Sequence, residues 1–338
     1  VKQDVRFRTA MLTGVCLVLL LIYISLTIGI YEMTFKELVE TILRINPSDH
    51  LDLVIFKFRL PRILLAALIG LGLGTAGAVL QAVSKNGLAD PGILGINSGA
   101  GAAIVVFMFF VHGQVTGAGW LVIMAMPLFG LFGGLAAALT IYLISWENGR
   151  LDPQRFLLTG IAVGTGIGAF TLFISLKMKA QDFEMATVWL SGSIYSANWM
   201  YIVSMLPWFF LCLPIILKRT YLLDMFQLGE DSLTSLGVSV EREKAILLLS
   251  SIGLVSACVS VAGSISFVGL MAPHIARLLI GHRHKQLVPF CGVIGMILVI
   301  GADFIGKSVV APSEIPVGIV IAIIGVPYFV FLLFKMKI

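Results

Sequence analysis

Charge is scarce in this sequence. Asp, Glu, Lys and Arg make up 12% of the 338 residues, about half the share a water-soluble domain carries. So little polar surface excludes a soluble globular protein, whereas a bilayer requires lipid-facing surface to be apolar. Cysteine is scarce too. Cys16, Cys212, Cys258 and Cys291 all lie in apolar runs and form no C-x-x-C pair, which excludes a disulfide framework and a cysteine zinc site. Acids and histidines are nearly missing inside the apolar runs, where only His274 and Asp303 come close, both near run ends. Proton- and sodium-coupled transporters place such groups at mid-membrane, so energy for transport has to come from elsewhere.

What the chain has is hydrophobic length: 59% hydrophobic residues and a mean hydropathy of +1.03. A bilayer core takes about 20 apolar residues per helix. On that rule, spans fall near 10–30, 63–84, 93–111, 119–145, 154–176, 187–217, 245–263, 264–280, 287–306 and 315–334. These describe an all-α polytopic membrane protein of ten transmembrane helices, read as one transmembrane domain over 1–338. Lys2, Arg6 and Arg8 precede the first run, which is long enough to span and has no small-x-small site after it. An uncleaved first helix is expected.

The formal charge of +5 and a pI near 9.0 do not indicate nucleic acid, because the basic residues cluster between apolar runs. With the N-terminus inside, ten spans return the C-terminus inside, and fifteen of the 23 Lys and Arg residues fall in inner segments. That is the positive-inside bias. Arg59, Arg62 and Lys307 are among the outer exceptions. Residues 34–45 put Phe35, Leu38, Val39, Ile42 and Leu43 on one helical face, with Thr34 and Glu37 spaced as a capping box. A short amphipathic helix on the outer membrane surface is expected.

Several motifs look like chemistry and are better read otherwise. Gly301 to Ser308 spell the phosphate-loop pattern G-x-x-x-x-G-K-S, but the preceding run fits a membrane helix, and that loop needs a strand before it. Gly72 to Gly77 spell the dinucleotide pattern in mid-span, and Gly70/Gly74 and Gly160/Gly164/Gly168 are spaced for close helix packing. His282 and His284 have no third ligand nearby and are flanked by Arg283 and Lys285, which reads as a basic cytoplasmic loop and not a metal site. No G-x-S-G or H-E-x-x-H segment is present. An enzyme is not expected, nor is a cofactor.

The polar island from Asp224 to Lys244 reads as a helical hairpin at the cytoplasmic face, opened at Leu228-Gly229-Glu230 and stopped at Leu236-Gly237. Its residues suit a docking surface and an ordinary solvated loop equally well. The longer blocks separate the two. "RLPRILLAALIGLGLGTAGAVLQAVSKNGLADPGILGINSGA", "FLLTGIAVG", "WLSGSIYSANW", "LGEDSLTSLGV", "GSISFVGLMAPHIARLLIGHRHKQLVP", "GADFIGK" and "EIPVGIVIAIIGVPYFVFLL" resemble, in order, the blocks of FecCD-type permeases. These serve siderophore, haem and cobalamin importers, and the likeness covers residues 30–334.

That resemblance implies a type II ABC importer permease fold in the bacterial cytoplasmic membrane, importing ferric siderophores, with haem or cobalamin as alternative cargo. It implies a second permease subunit, identical or paralogous, two ATP-binding-cassette ATPases and an extracytoplasmic substrate-binding protein. Leu228, Gly229, Glu230, Leu236 and Gly237 would couple to the ATPase. Arg59, Arg62 and Lys307 would dock the binding protein, with Lys307 standing where the family usually has Arg. Asn86 and Leu88 are candidates for a cytoplasmic gate, in a loop where Gly87 replaces the usual proline.

Overall fold

The computed structural model describes residues 2–335 except 30, 32, 46–47, 93–94, 111–119, 148–149, 229 and 236. Its helices are α1 (Lys2–Thr27), α2 (Phe35–Ile42), α3 (Asp49–Asp52), α4 (Leu60–Val83), α5 (Ile96–Phe110), α6 (Trp120–Ser145), α7 (Pro153–Ser175), α8 (Ala180–Leu190), α9 (Trp199–Lys218), α10 (Thr220–Met225), α11 (Glu230–Ser235), α12 (Val240–Ala262), α13 (Val268–Ile280), α14 (His284–Val309) and α15 (Val317–Lys335). A π-helical turn, Leu53–Arg59, joins α3 to α4 into one rod. One departure from all-helix is a two-residue antiparallel ladder, β1 (Trp146–Glu147) with β2 (Arg150–Leu151).

Among the described residues, eight helices are long and apolar enough to cross a bilayer, and α5 and α13 are shorter apolar helices that complete the ten. The expected span 187–217 is corrected. Its start, 187–190, is the end of α8, whose 11 residues cover about 16 Å and fall short of a crossing, and the full span is α9, which begins only at Trp199. The break is made locally. Gly192 turns at φ +78, where a Cβ would lie 2.5 Å from the Ser264 carbonyl, and Asn198 caps α9 by accepting the Tyr201 N–H. A hydropathy window bridges this break because its residues are small and only mildly polar.

The core of the bundle is a seam between α4 and α14. A Cβ on Gly295 would sit 2.0 Å from the Gly70 carbonyl oxygen, and one on Gly74 would sit 2.3 Å from that of Cys291. Backbone meets backbone there, which is how membrane helices gain dispersion contact without a hydrophobic drive. The dinucleotide-like glycines therefore belong to packing, and the phosphate-loop-like residues Gly301 to Ser308 lie within α14. The second glycine set divides: Gly164 abuts Gly95, while a Cβ on Gly168 would meet nothing within 4 Å among the described residues. Of the eight spans, α7 is the least covered by its own chain and α12 the most.

Candidate functional site

Two constellations lie at opposite ends of α14. At its C-terminal end, Arg59, Arg62 and Lys307 line one cleft of about 290 Å³ with Tyr31, Phe58 and Glu314. The three cations are brought together, and each is engaged within the chain. Arg62 lies 2.8 Å from Asp303 Oδ1 through both Nε and Nη2, and 2.7 Å from Glu314 Oε2. Arg59 donates to the carbonyls of Leu26 and Tyr31. Lys307 Nζ lies 2.5 Å from Ser25 Oγ. An adjoining cleft of about 360 Å³ shares Arg62 and Glu314 and adds Val188 and Tyr195.

Asp303 is 1% exposed, and such an acid persists in an apolar setting only when paired and hydrogen-bonded. Its partner is 241 residues away. In the sequence Asp303 stands as an acid near a run end, and Glu314 carries no mark that sets it apart. The only signal available was opposite charge at the tips of neighbouring apolar runs.

Nearby, α2 carries the reciprocal cap: Thr34 N–H donates to Glu37 Oε2 at 2.8 Å, and Glu37 N–H donates to Thr34 Oγ1 at 3.3 Å. The Thr34 backbone bond, then its hydroxyl, holds the Glu37 carboxyl below its ordinary range.

At the other end of α14 stands the hairpin. It runs from α10 through a 3₁₀ turn, Phe226–Leu228, into α11, and turns at Gly237 with φ +81. Gly suits that left-handed position after a helix. Phe226 and Leu233 anchor the hairpin by burying fully. Arg219 Nε lies 2.8 Å from Glu243 Oε2 and clasps its base. Of the expected coupling residues, Gly229 and Leu236 lie outside the described residues. The backbones of Leu228 and Glu230 belong to the 3₁₀ turn and α11, and their side chains lie outside what is described.

The hairpin also meets the histidine pair. His284 begins α14 and is buried, its ring Nδ1 2.6 Å from Asp224 Oδ1. His282 and Arg283 lie in the short connection before α14, while His284 belongs to the helix, and its partner 60 residues away has no local signal in the sequence.

Asn86 and Leu88 sit in a turn in which Asn86 Oδ1 accepts the Leu88 N–H at 2.9 Å. Gly87 there has open space around it. Just beyond, Asp90 is 3% exposed and accepts the Phe267 N–H at 3.0 Å. Burial pushes its carboxyl up to about 6 against those backbone bonds. This acid ties the connection after α4 to the break between α12 and α13.

The profile of the FecCD transport family matches residues 17–335. The chain is 53% identical over 323 residues to the iron-uptake system permease protein FeuC of Bacillus subtilis (strain 168), covering 96% of each. It is 43% identical to the iron(3+)-hydroxamate import system permease protein FhuG of the same organism, covering 94% of each. Among solved structures, one described as an inward-facing metal-chelate-type ABC transporter superposes with a TM-score of 0.84 at 27% identity, covering 97% of this chain and 100% of that one. Matched to that family over residues 17–335 and to an iron-uptake permease at 53% identity over nearly its whole length, the chain belongs to the FecCD transport family.

Proposed function

We propose that this chain is the permease subunit of an ATP-driven importer that carries ferric siderophore complexes across the bacterial cytoplasmic membrane. The observation that carries the cargo assignment is its 53% identity, across nearly the whole length of both chains, to a permease named for iron uptake. The hydroxamate permease points the same way. Both termini face the cytoplasm, following the bias of Lys and Arg toward inner segments.

In this reading two ATPases grip the hairpins of two permease subunits, with Leu228, Gly229, Glu230, Leu236 and Gly237 at the contact. The hairpin suits that task because Phe226 and Leu233 root it in the bundle, so a push on it is transmitted. A binding protein docks on the opposite face, where Arg59, Arg62 and Lys307 share a cleft. Rim charges of this kind steer and register a partner more than they tighten it. Asn86 and Leu88 are assigned to the cytoplasmic gate. The second permease, identical or paralogous, covers surface such as α7 that this chain leaves bare.

The test is radioiron uptake in cells deleted for this chain, with ferric hydroxamate, catecholate and citrate as separate cargoes. Loss of uptake for at least one, restored by the gene, is the expected result. Unimpaired uptake of all three sinks the cargo assignment. A defect confined to haem or cobalamin moves the cargo within the family.

A further inference from the structure

α14 is one helix of 26 residues, about 39 Å long at 1.5 Å per residue, and both its ends are held by side chains from distant parts of the chain. At the C-terminal end Asp303 holds Arg62, and Lys307 holds Ser25. At the N-terminal end a single carboxylate oxygen of Asp224 accepts the backbone N–H of His284 at 3.0 Å and lies 2.6 Å from its ring Nδ1. An ionised carboxylate only accepts, so Nδ1 carries the proton. Arg283, in the N-cap position, makes no side-chain cap. Asp224 therefore supplies the cap from α10, and its charge suits the positive end of the helix dipole.

α14 is not free to move alone. The backbone contacts of Gly70 with Gly295 and of Gly74 with Cys291 leave no slack between α14 and α4, and close-packed bodies shift as units. α4 begins at the cleft that holds Arg62, so the α4–α14 body reaches from the hairpin to that cleft.

We infer that the Asp224–His284 pair is the joint through which displacement of the hairpin reaches the α4–α14 body, and through it the Arg62 cluster at the far end. This rests on the reading of the hairpin as the ATPase contact. Asp224 and His284 bind each other at the end of α14 away from the Arg62 cleft, so the role inferred for them is positioning. Phe226 and Leu233 root the hairpin through non-directional apolar burial, and the hydrogen-bonded cap adds a directional link to α14.

The assembled transporter tests this, reconstituted in proteoliposomes with its partner permease, ATPase and binding protein, and with radioiron-labelled ferric hydroxamate as cargo. Two quantities are read: stimulation of ATP hydrolysis by loaded binding protein, and chelate moved per ATP. His284→Leu is expected to keep basal hydrolysis within about twofold and to lose at least about fivefold in both quantities, the scale of a typical coupling free energy. His284→Asn places an amide N–H where Nδ1–H stood and is expected to recover both to within about twofold. A Leu variant that matches the unaltered protein overturns the joint, and so does an Asn variant no better than Leu. Should the Leu variant fail to assemble, Asp224→Ala decides: its side chain is 42% exposed and tolerates truncation, and retained stimulation there overturns the joint. An unaltered complex that moves no chelate on ATP sinks the importer reading beneath it.

Discussion

Arg62 and Glu314 meet fork to fork, Nη2 2.7 Å from Oε2 and Nη1 3.1 Å from Oε1, while the same guanidinium holds buried Asp303. In the proposed docking, a carboxylate from the binding protein would have to compete with Glu314, the more exposed of the two acids. Planar bidentate pairing of this sort is specific to Arg. Arg62 is thus paired on both sides within the chain, with Glu314 the outer partner.

Glu314→Gln should therefore tighten capture of the binding protein by about threefold to tenfold, chiefly through association rate. Arg62→Glu should abolish capture by gathering three acids at one point. Kinetics on immobilised transporter separate these outcomes, and weaker capture by Glu314→Gln would remove Arg62 from the docking set. Asp303→Asn is a different lesion. It breaks a buried pair, for which about 3–5 kcal/mol is typical, and should lower thermal stability in detergent more than Glu314→Gln does.

The glycine seam predicts a steep steric response. Gly295→Ala puts a methyl 2.0 Å from the Gly70 carbonyl, a clash that no rotamer relieves, so the helices have to separate. The loss should exceed the roughly 1–3 kcal/mol of ordinary overpacking. Gly87→Ala, with open space around it, is the control and should leave the unfolding temperature unchanged. Equal behaviour of the two variants would remove the seam from the account of stability.

Asp90 gives a pH dependence with a definite sign. Its folded carboxyl is raised to about 6 from an ordinary 3.8, so the folded state favours the protonated form. That contribution is complete below pH 3.8 and is lost as pH rises through 6. Lowering pH from 7.5 to 5 should add about 1.5 kcal/mol of stability from this group. Asp90→Asn keeps an acceptor for the Phe267 N–H and removes the titration. The difference between the two pH profiles, read by thermal unfolding, isolates the effect from the other carboxylates; coincident profiles would refute it.

In the hairpin, Gly237→Ala forces a Cβ into φ +81, at a penalty of about 1 kcal/mol. Leu233→Ala removes a fully buried anchor, for which about 2–5 kcal/mol is typical. Both should loosen ATPase capture in detergent while leaving the spans folded, with Leu233→Ala the more severe. Binding of purified ATPase to each variant checks the order.

Most of the spans could be read from the sequence because partitioning into lipid is a sum over consecutive residues, which a linear scan measures directly. Glycine spacing in α4 exposed the seam for the same reason: helical periodicity is local. The scan failed at 187–217, where a turn set by Gly192 against Ser264 and by the Asn198 cap interrupts an otherwise apolar run.

Composition and order along the chain determined by themselves that this protein lives in lipid, has about ten membrane-spanning helices, carries a polar hairpin and resembles one permease family. Only the tertiary structure decided that Arg62 is shared by Asp303 and Glu314, that Asp224 caps α14 at His284, and that Asp90 is buried against Phe267. The reason is physical. Hydrophobic length acts through neighbours in sequence, whereas a buried charge is stabilised by a partner that folding brings from 60 to 241 residues away.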